Sequence, residues 1–122
     1  MKLATTLISA AALCAVFAAP ALAGDTWGAV YGGTIVSTYA NGKVVKVYVN
    51  ADHSYSITLP DGKTLKGTWA DGADGSCFTV TDPPQAPGTK PVCFPIKEYK
   101  IGDTFPGEDA NGKFTGVIVA GR

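Results

Sequence analysis

Turn-forming glycines recur along this chain and divide it into short segments. Three turns share one pattern, an Asn-Gly or Asp-Gly pair followed by lysine: Asn41–Lys43, Asp61–Lys63 and Asn111–Lys113. The segments between the turns are rich in Val, Thr, Ile, Tyr and Phe, and none has helical periodicity. The sequence therefore predicts an all-β protein, an antiparallel meander of about seven or eight strands that forms a small barrel or a sandwich.

The runs of β-favouring residues place the expected strands. These are Trp27 to Tyr31, Thr34 to Tyr39, Lys43 to Val49, Tyr55 to Leu59, Lys63 to Ala70, Ser76 to Thr81, Val92 to Ile96 and Phe114 to Val119. Asn41-Gly42 is typical of a two-residue turn, which would set Val36 opposite Val47. The order Pro60-Asp61-Gly62 instead predicts a three-residue bulged loop, which sets Ile57 opposite Leu65.

The single histidine fits the same turn chemistry. If residues 51–53 form another three-residue loop, Val49 lies opposite Tyr55 and the apolar face continues across the hairpin. His53 would then occupy a left-handed position, where histidine is among the better tolerated residues. A lone exposed histidine without a nearby nucleophile or second ligand predicts no catalytic role.

The first 23 residues have the pattern of a secretory signal peptide. A basic start at Lys2 precedes an almost wholly apolar run from Leu3 to Ala19, and Ala21-Leu22-Ala23 is a small-x-small cleavage motif. We expect cleavage after Ala23, a single β domain over residues 24–122, and a periplasmic or secreted location.

Two cysteines remain after cleavage, because Cys14 leaves with the signal peptide. In an oxidising compartment the pair Cys77 and Cys93 is most simply one disulfide. A zinc site would need further ligands, and the chain has one histidine. The acidic residues of Asp71–Gly75 lack the alternation of a calcium loop. We therefore expect no metal site and no cofactor.

Charge narrows the classes of partner. Loss of Lys2 leaves nine basic against ten acidic side chains, spread singly along the chain. Nucleic acids and anionic membranes both select for basic clusters, so we expect neither as a partner once the signal peptide is removed.

One segment is not explained by turn chemistry. Residues 82–91 are too rich in proline for a strand and too long for a tight turn, and they lie between the two cysteines. A stiff exposed loop loses little entropy on binding, which suits recognition of a protein partner in the cell envelope. The residues expected to make this contact are Pro83, Pro84, Gln85, Pro87 and Lys90; the alternative is a spacer between strands.

Several of these motifs together resemble a known class of protein. Asp52–Tyr55, Asp61–Lys63, Gly67–Trp69, Cys77 and Cys93 look like small secreted bacterial single-disulfide β domains of unknown function. More distantly, the chain is similar to periplasmic β-barrels that inhibit proteases or lysozymes. The resemblance implies a barrel architecture, and inhibitor function follows from it only by analogy of fold.

Three kinds of function follow from these observations. We expect a non-catalytic binding or inhibitor-like domain, since no set of clustered titratable groups indicates an enzyme. The alternatives are a carrier of a small ligand, which a hollow barrel interior would favour, and a structural protein of the cell envelope.

Overall fold

The computed structural model describes residues 26–122, so the expected signal peptide and cleavage site lie outside the described residues. A short 3-10 turn at Gly28–Val30 precedes eight strands. The strands are β1 (Gly33–Tyr39), β2 (Val44–Val49), β3 (Ser54–Thr58), β4 (Thr64–Gly72), β5 (Gly75–Asp82), β6 (Val92–Phe94), β7 (Thr104–Asp109) and β8 (Gly112–Ala120). Within residues 26–122 no helix is long and apolar enough to cross a membrane.

All eight strands belong to one antiparallel sheet that curls into a nearly closed barrel. The order across the sheet is β6-β5-β4-β3-β2-β1-β8-β7, so six strands form a meander and the last hairpin returns to pair β8 with β1. The edge strands β6 and β7 then face each other across the remaining gap, where the rings of Phe94 and Phe105 lie 5.4 Å apart. The predicted all-β fold is confirmed, in its barrel form.

The connections divide the barrel into two different ends. Residues 40–43, 59–63, 83–91 and 110–111 connect odd to even strands and lie at one end, which we call the mouth. The other end, the floor, holds residues 50–53, 73–74 and 95–103 together with the 3-10 turn. This polarity follows from the antiparallel order, because each odd strand runs from floor to mouth.

A tightly packed aromatic group closes the floor. Trp27 is fully buried and stacks on Tyr99, with ring centroids 4.2 Å apart and planes 3° from parallel. The Trp27 indole Nε1 donates a hydrogen bond of 2.7 Å to Oγ of Ser76, which is also fully buried. The backbone N–H of Tyr99 bonds to the carbonyl of Thr26. The segment before β1 is therefore a plug for the barrel and does not form the strand predicted over Trp27 to Tyr31.

Two registers are confirmed and one is wrong. Ile57 lies opposite Leu65 and Val49 opposite Tyr55, as the three-residue loops predict. The loop at residues 40–42 also has three residues, since Tyr39 pairs with Lys43 and Gly42 has φ +89°. The pairing is therefore shifted by one residue: Ile35 lies opposite Val47, and Val36 lies opposite Lys46 on the other face of the sheet.

The remaining differences from the predicted strands involve proline. The structure contains a strand that the sequence did not predict, β7, whose β-favouring run is interrupted by Pro106 and Gly107. The strand predicted from Val92 to Ile96 ends at Phe94, directly before Pro95.

Candidate functional site: the barrel cavity

The interior of the barrel contains a cavity of about 450 Å³ that extends to the mouth. Side chains from all eight strands supply a mainly apolar wall, including Val45, Val47, Ile57, Leu65, Phe94 and Phe105. Among the floor residues that the structure describes, only Trp27 lines the cavity. Small-molecule pockets commonly measure about 300–1,000 Å³ and have mostly apolar walls, so this cavity has the size and the chemistry of a ligand site.

Small residues at inward positions explain why side chains do not fill the barrel. Gly67 lies opposite Tyr55, and a Cβ at Gly67 would lie only 2.7 Å from the tyrosine ring. Gly116 lies beside Ser37 and opposite Phe105, whose ring covers it. A ring that lies flat over a glycine occupies the wall of the barrel and leaves its centre open.

The hydroxyl group of Tyr39 at the mouth already has a hydrogen-bond partner within the protein. The Tyr39 hydroxyl donates a hydrogen bond of 2.6 Å to the Asp109 carboxylate, which also accepts the backbone N–H of Asn111 at 2.8 Å. Burial, followed by the hydrogen bond and charge of Asp109, raises the pKa of Tyr39 well above its usual value. Lys43 lines the cavity at the same end. Tyr39 therefore remains a neutral donor that is committed to Asp109.

The proline-rich loop lies at the rim of the mouth. Gln85 and Lys90 line the cavity, whereas Pro83, Pro84 and Pro87 do not. All five side chains are exposed. The loop is fixed by its own bonds: the Gln85 amide donates to the carbonyl of Pro83 at 2.9 Å, and Thr89 Oγ1 donates to that of Ala86 at 2.7 Å. Its predicted contact with a protein partner stays a prediction, while its place beside the cavity is an observation.

Two hydroxyl groups in the wall differ from those at the mouth. Ser37 on β1 and Tyr55 on β3 both line the cavity and are 3% and 5% exposed. Neither side chain makes a hydrogen bond with any group in residues 26–122. Burial raises the pKa of the Tyr55 phenol to about 12, so this hydroxyl keeps its proton at neutral pH. Neither residue was predicted as a site residue, although the pairing of Tyr55 with Gly67 follows from the loop at residues 60–62 and indicates space beside the tyrosine ring.

The predicted disulfide is present on the outer face of the barrel. Cys77 on β5 lies opposite Cys93 on β6, and their sulfur atoms are bonded. The neighbouring Phe78 and Phe94 consequently face inward. The bond joins the two strands that carry the proline-rich loop and therefore fixes the base of that loop. A disulfide is compatible with an extracytoplasmic location.

His53 serves the fold at the other end of the barrel. Its φ of 71° confirms the predicted left-handed position. The His53 ring stacks on Trp69 at 4.2 Å, and its Nδ1 lies 3.0 Å from the Trp69 carbonyl oxygen. Within residues 26–122, no three His, Cys, Asp or Glu side chains are grouped so that they could hold a metal ion.

Comparison with known proteins adds no further constraint, because no protein family, curated protein or solved structure matches this chain.

Proposed function

We propose that this protein is a non-catalytic binding domain of the periplasm or the secreted fraction, and that it holds a small, mainly apolar molecule inside the barrel. The observation that carries the proposal is the cavity of about 450 Å³ with its apolar wall and its opening at the mouth. Eight-stranded barrels are either filled by their own side chains or wide enough for one small ligand. The inward glycines Gly67 and Gly116, beside an open cavity, favour the second possibility.

The asymmetry between the two ends supports the same function. The stacked rings of Trp27 and Tyr99 close the floor, whereas the cavity extends to the mouth, where a ligand can enter. Transfer of apolar ligand surface from water into the cavity gives about 25 cal/mol per Å² before the costs of association. The disulfide and the signal-like leader support an extracytoplasmic location.

A neutral fluorescent probe tests this proposal. We expect N-phenyl-1-naphthylamine to bind the oxidised protein in a 1:1 ratio with a blue-shifted, enhanced emission. Ile57→Trp replaces an aliphatic side chain of the cavity wall by a larger indole ring and should weaken probe binding by at least about tenfold. Ser56→Trp is the matched control, because Ser56 is adjacent on β3 and faces the opposite side of the sheet. Equal affinities for the two variants, or no binding to the parent, would contradict the proposal.

A second variant distinguishes ligand binding in the cavity from the alternative function, a protein contact made by the proline-rich loop. Replacement of residues 85–90 by a Gly-Ser stretch of the same length should leave the barrel folded, because the exchange removes no core residue. A protein captured from periplasmic extract that binds the Ile57→Trp variant but not this loop variant would favour the protein contact. If both variants still capture the protein, the loop contact is contradicted and the cavity remains the supported site.

A further inference from the structure

We infer that the ligand of the cavity carries an uncharged oxygen, such as a keto or ester carbonyl, that accepts a hydrogen bond from Ser37 or from Tyr55. This inference rests on the proposed function and adds to it the chemical class of the ligand. A cavity that bound only hydrocarbon ligands would be expected to have apolar side chains at these two positions. The barrel instead has two hydroxyl donors there that no protein group in residues 26–122 satisfies.

Three other hydroxyl groups, at the mouth or buried in the floor, have partners within the protein. The Tyr39 hydroxyl donates to Asp109, and the Thr89 hydroxyl donates to the carbonyl of Ala86. The buried Ser76 hydroxyl accepts from the indole of Trp27. Buried polar groups in proteins are nearly all hydrogen-bonded, and an exception at a pocket wall indicates a partner supplied from outside the chain.

The required partner is an acceptor. The phenol of Tyr55 is neutral at physiological pH and has a proton to donate. A hydroxyl that faces an apolar cavity loses more by leaving its proton unbonded than by leaving a lone pair unused, and a carbonyl oxygen offers two lone pairs. The two hydroxyls also stand at different depths: Ser37 is nearer to the mouth end of β1, and Tyr55 is next to the floor end of β3.

A charged acceptor does not fit these positions. Ionised groups are stable in apolar surroundings only when they are paired with an opposite charge. The cations that line the cavity, Lys43 and Lys90, both belong to the mouth connections. A carboxylate would therefore bind at the rim and would leave both hydroxyls without a partner.

Three naphthalene probes of similar shape test the inference by displacement of N-phenyl-1-naphthylamine. In 2-acetylnaphthalene a carbonyl takes the place of the isosteric C=CH₂ group of 2-isopropenylnaphthalene, and 2-naphthoic acid carries a carboxylate. We expect the parent protein to prefer the acetyl over the isopropenyl compound by up to about tenfold, the value for one net hydrogen bond. The acid should be the weakest of the three at pH 7.

Conservative variants assign the preference to the two hydroxyls. At least one of Tyr55→Phe and Ser37→Ala should weaken binding of the acetyl compound about three- to tenfold, and both should leave binding of the isopropenyl compound within about twofold. Tyr48→Phe and Ser56→Ala are matched controls, because these two residues pair on the outer face and should change neither affinity.

The outcomes separate the inference from the proposed function. If all three probes bind and the acetyl compound has no advantage, the cavity binds ligands but the inference is wrong. A preference that persists in both hydroxyl variants also overturns it. If the acid binds best and Lys43→Met abolishes its advantage, recognition takes place at the mouth and the inference is wrong. If no probe binds to the parent, the proposed function fails and the inference fails with it.

Discussion

The hydrogen bond between Trp27 and Ser76 gives a sharp test of how the floor is held. Ser76→Ala removes the acceptor that lies 2.7 Å from the indole Nε1, and both residues are fully buried. The indole N–H would then remain buried without an acceptor, which costs about 1–3 kcal/mol. For a domain of this size, a loss of about 2 kcal/mol lowers Tm by about 8–16 °C.

Urea denaturation of the oxidised protein measures this loss directly. Ser56→Ala is the control, since its side chain lies on the outer face, and its free energy of unfolding should change by no more than about 0.5 kcal/mol. Trp27→Phe removes the donor instead, so the double variant should lose about 1 kcal/mol less than the sum of the single variants. If Ser76→Ala is as stable as Ser56→Ala, or if the two single losses are additive, the bond does not hold the floor.

Three further predictions concern the disulfide, the core and the ionisation of Tyr55. Reduction of the Cys77–Cys93 bond should cost about 3 kcal/mol, measured as the shift in urea stability with and without reductant. Trp69→Ala should cost about 3–5 kcal/mol because the ring is 4% exposed, whereas the exposed Lys46→Ala should cost less than about 0.5 kcal/mol; equal losses would mean that the faces of the sheet are reversed. The pKa of Tyr55 rises to about 12 on folding from a usual value of 10.0, so its contribution to stability is complete below pH 10 and is lost between pH 10 and pH 12. Urea titrations at pH 8 to 12 should show a decline in stability that is smaller in Tyr55→Phe, and an unchanged decline would contradict this assignment.

The sequence was sufficient to predict seven of the eight strands, all except β7, because adjacent residues specify most of the turns between them. The loops at residues 51–53 and 60–62 each place a left-handed residue before the next strand, and their registers are confirmed. The loop at residues 40–42 contains the same Asn-Gly signal that two-residue turns use. Strand β1 pairs with β8 as well as β2, and the three-residue loop turns Ile35 and Ser37 inward. The Asn41-Gly42 dipeptide alone therefore did not specify the register of β1 and β2, and the pairing of β1 with β8, which is distant in sequence, accompanies the observed register.

The candidate site could not be predicted in the same way, because a cavity is a property of volume and closure. It depends on β8 returning to β1 and on the glycines that face the interior, and both involve residues far apart in sequence. The loop at residues 83–91 was recognised as distinctive from its prolines alone. Its place beside the cavity follows from the antiparallel order of the strands, which puts every odd-to-even connection at the mouth.

The incomplete closure of the barrel has a consequence for the behaviour of this protein at high concentration. A sheet with two free edges exposes unpaired N–H and C=O groups that can recruit the strand of another molecule. Here one edge strand has only three residues and lies between Pro91 and Pro95, and the other contains Pro106, which has no N–H to donate. Both edges are therefore poor templates for intermolecular β-pairing, and the protein is expected to resist edge-to-edge aggregation even though its barrel is not fully closed.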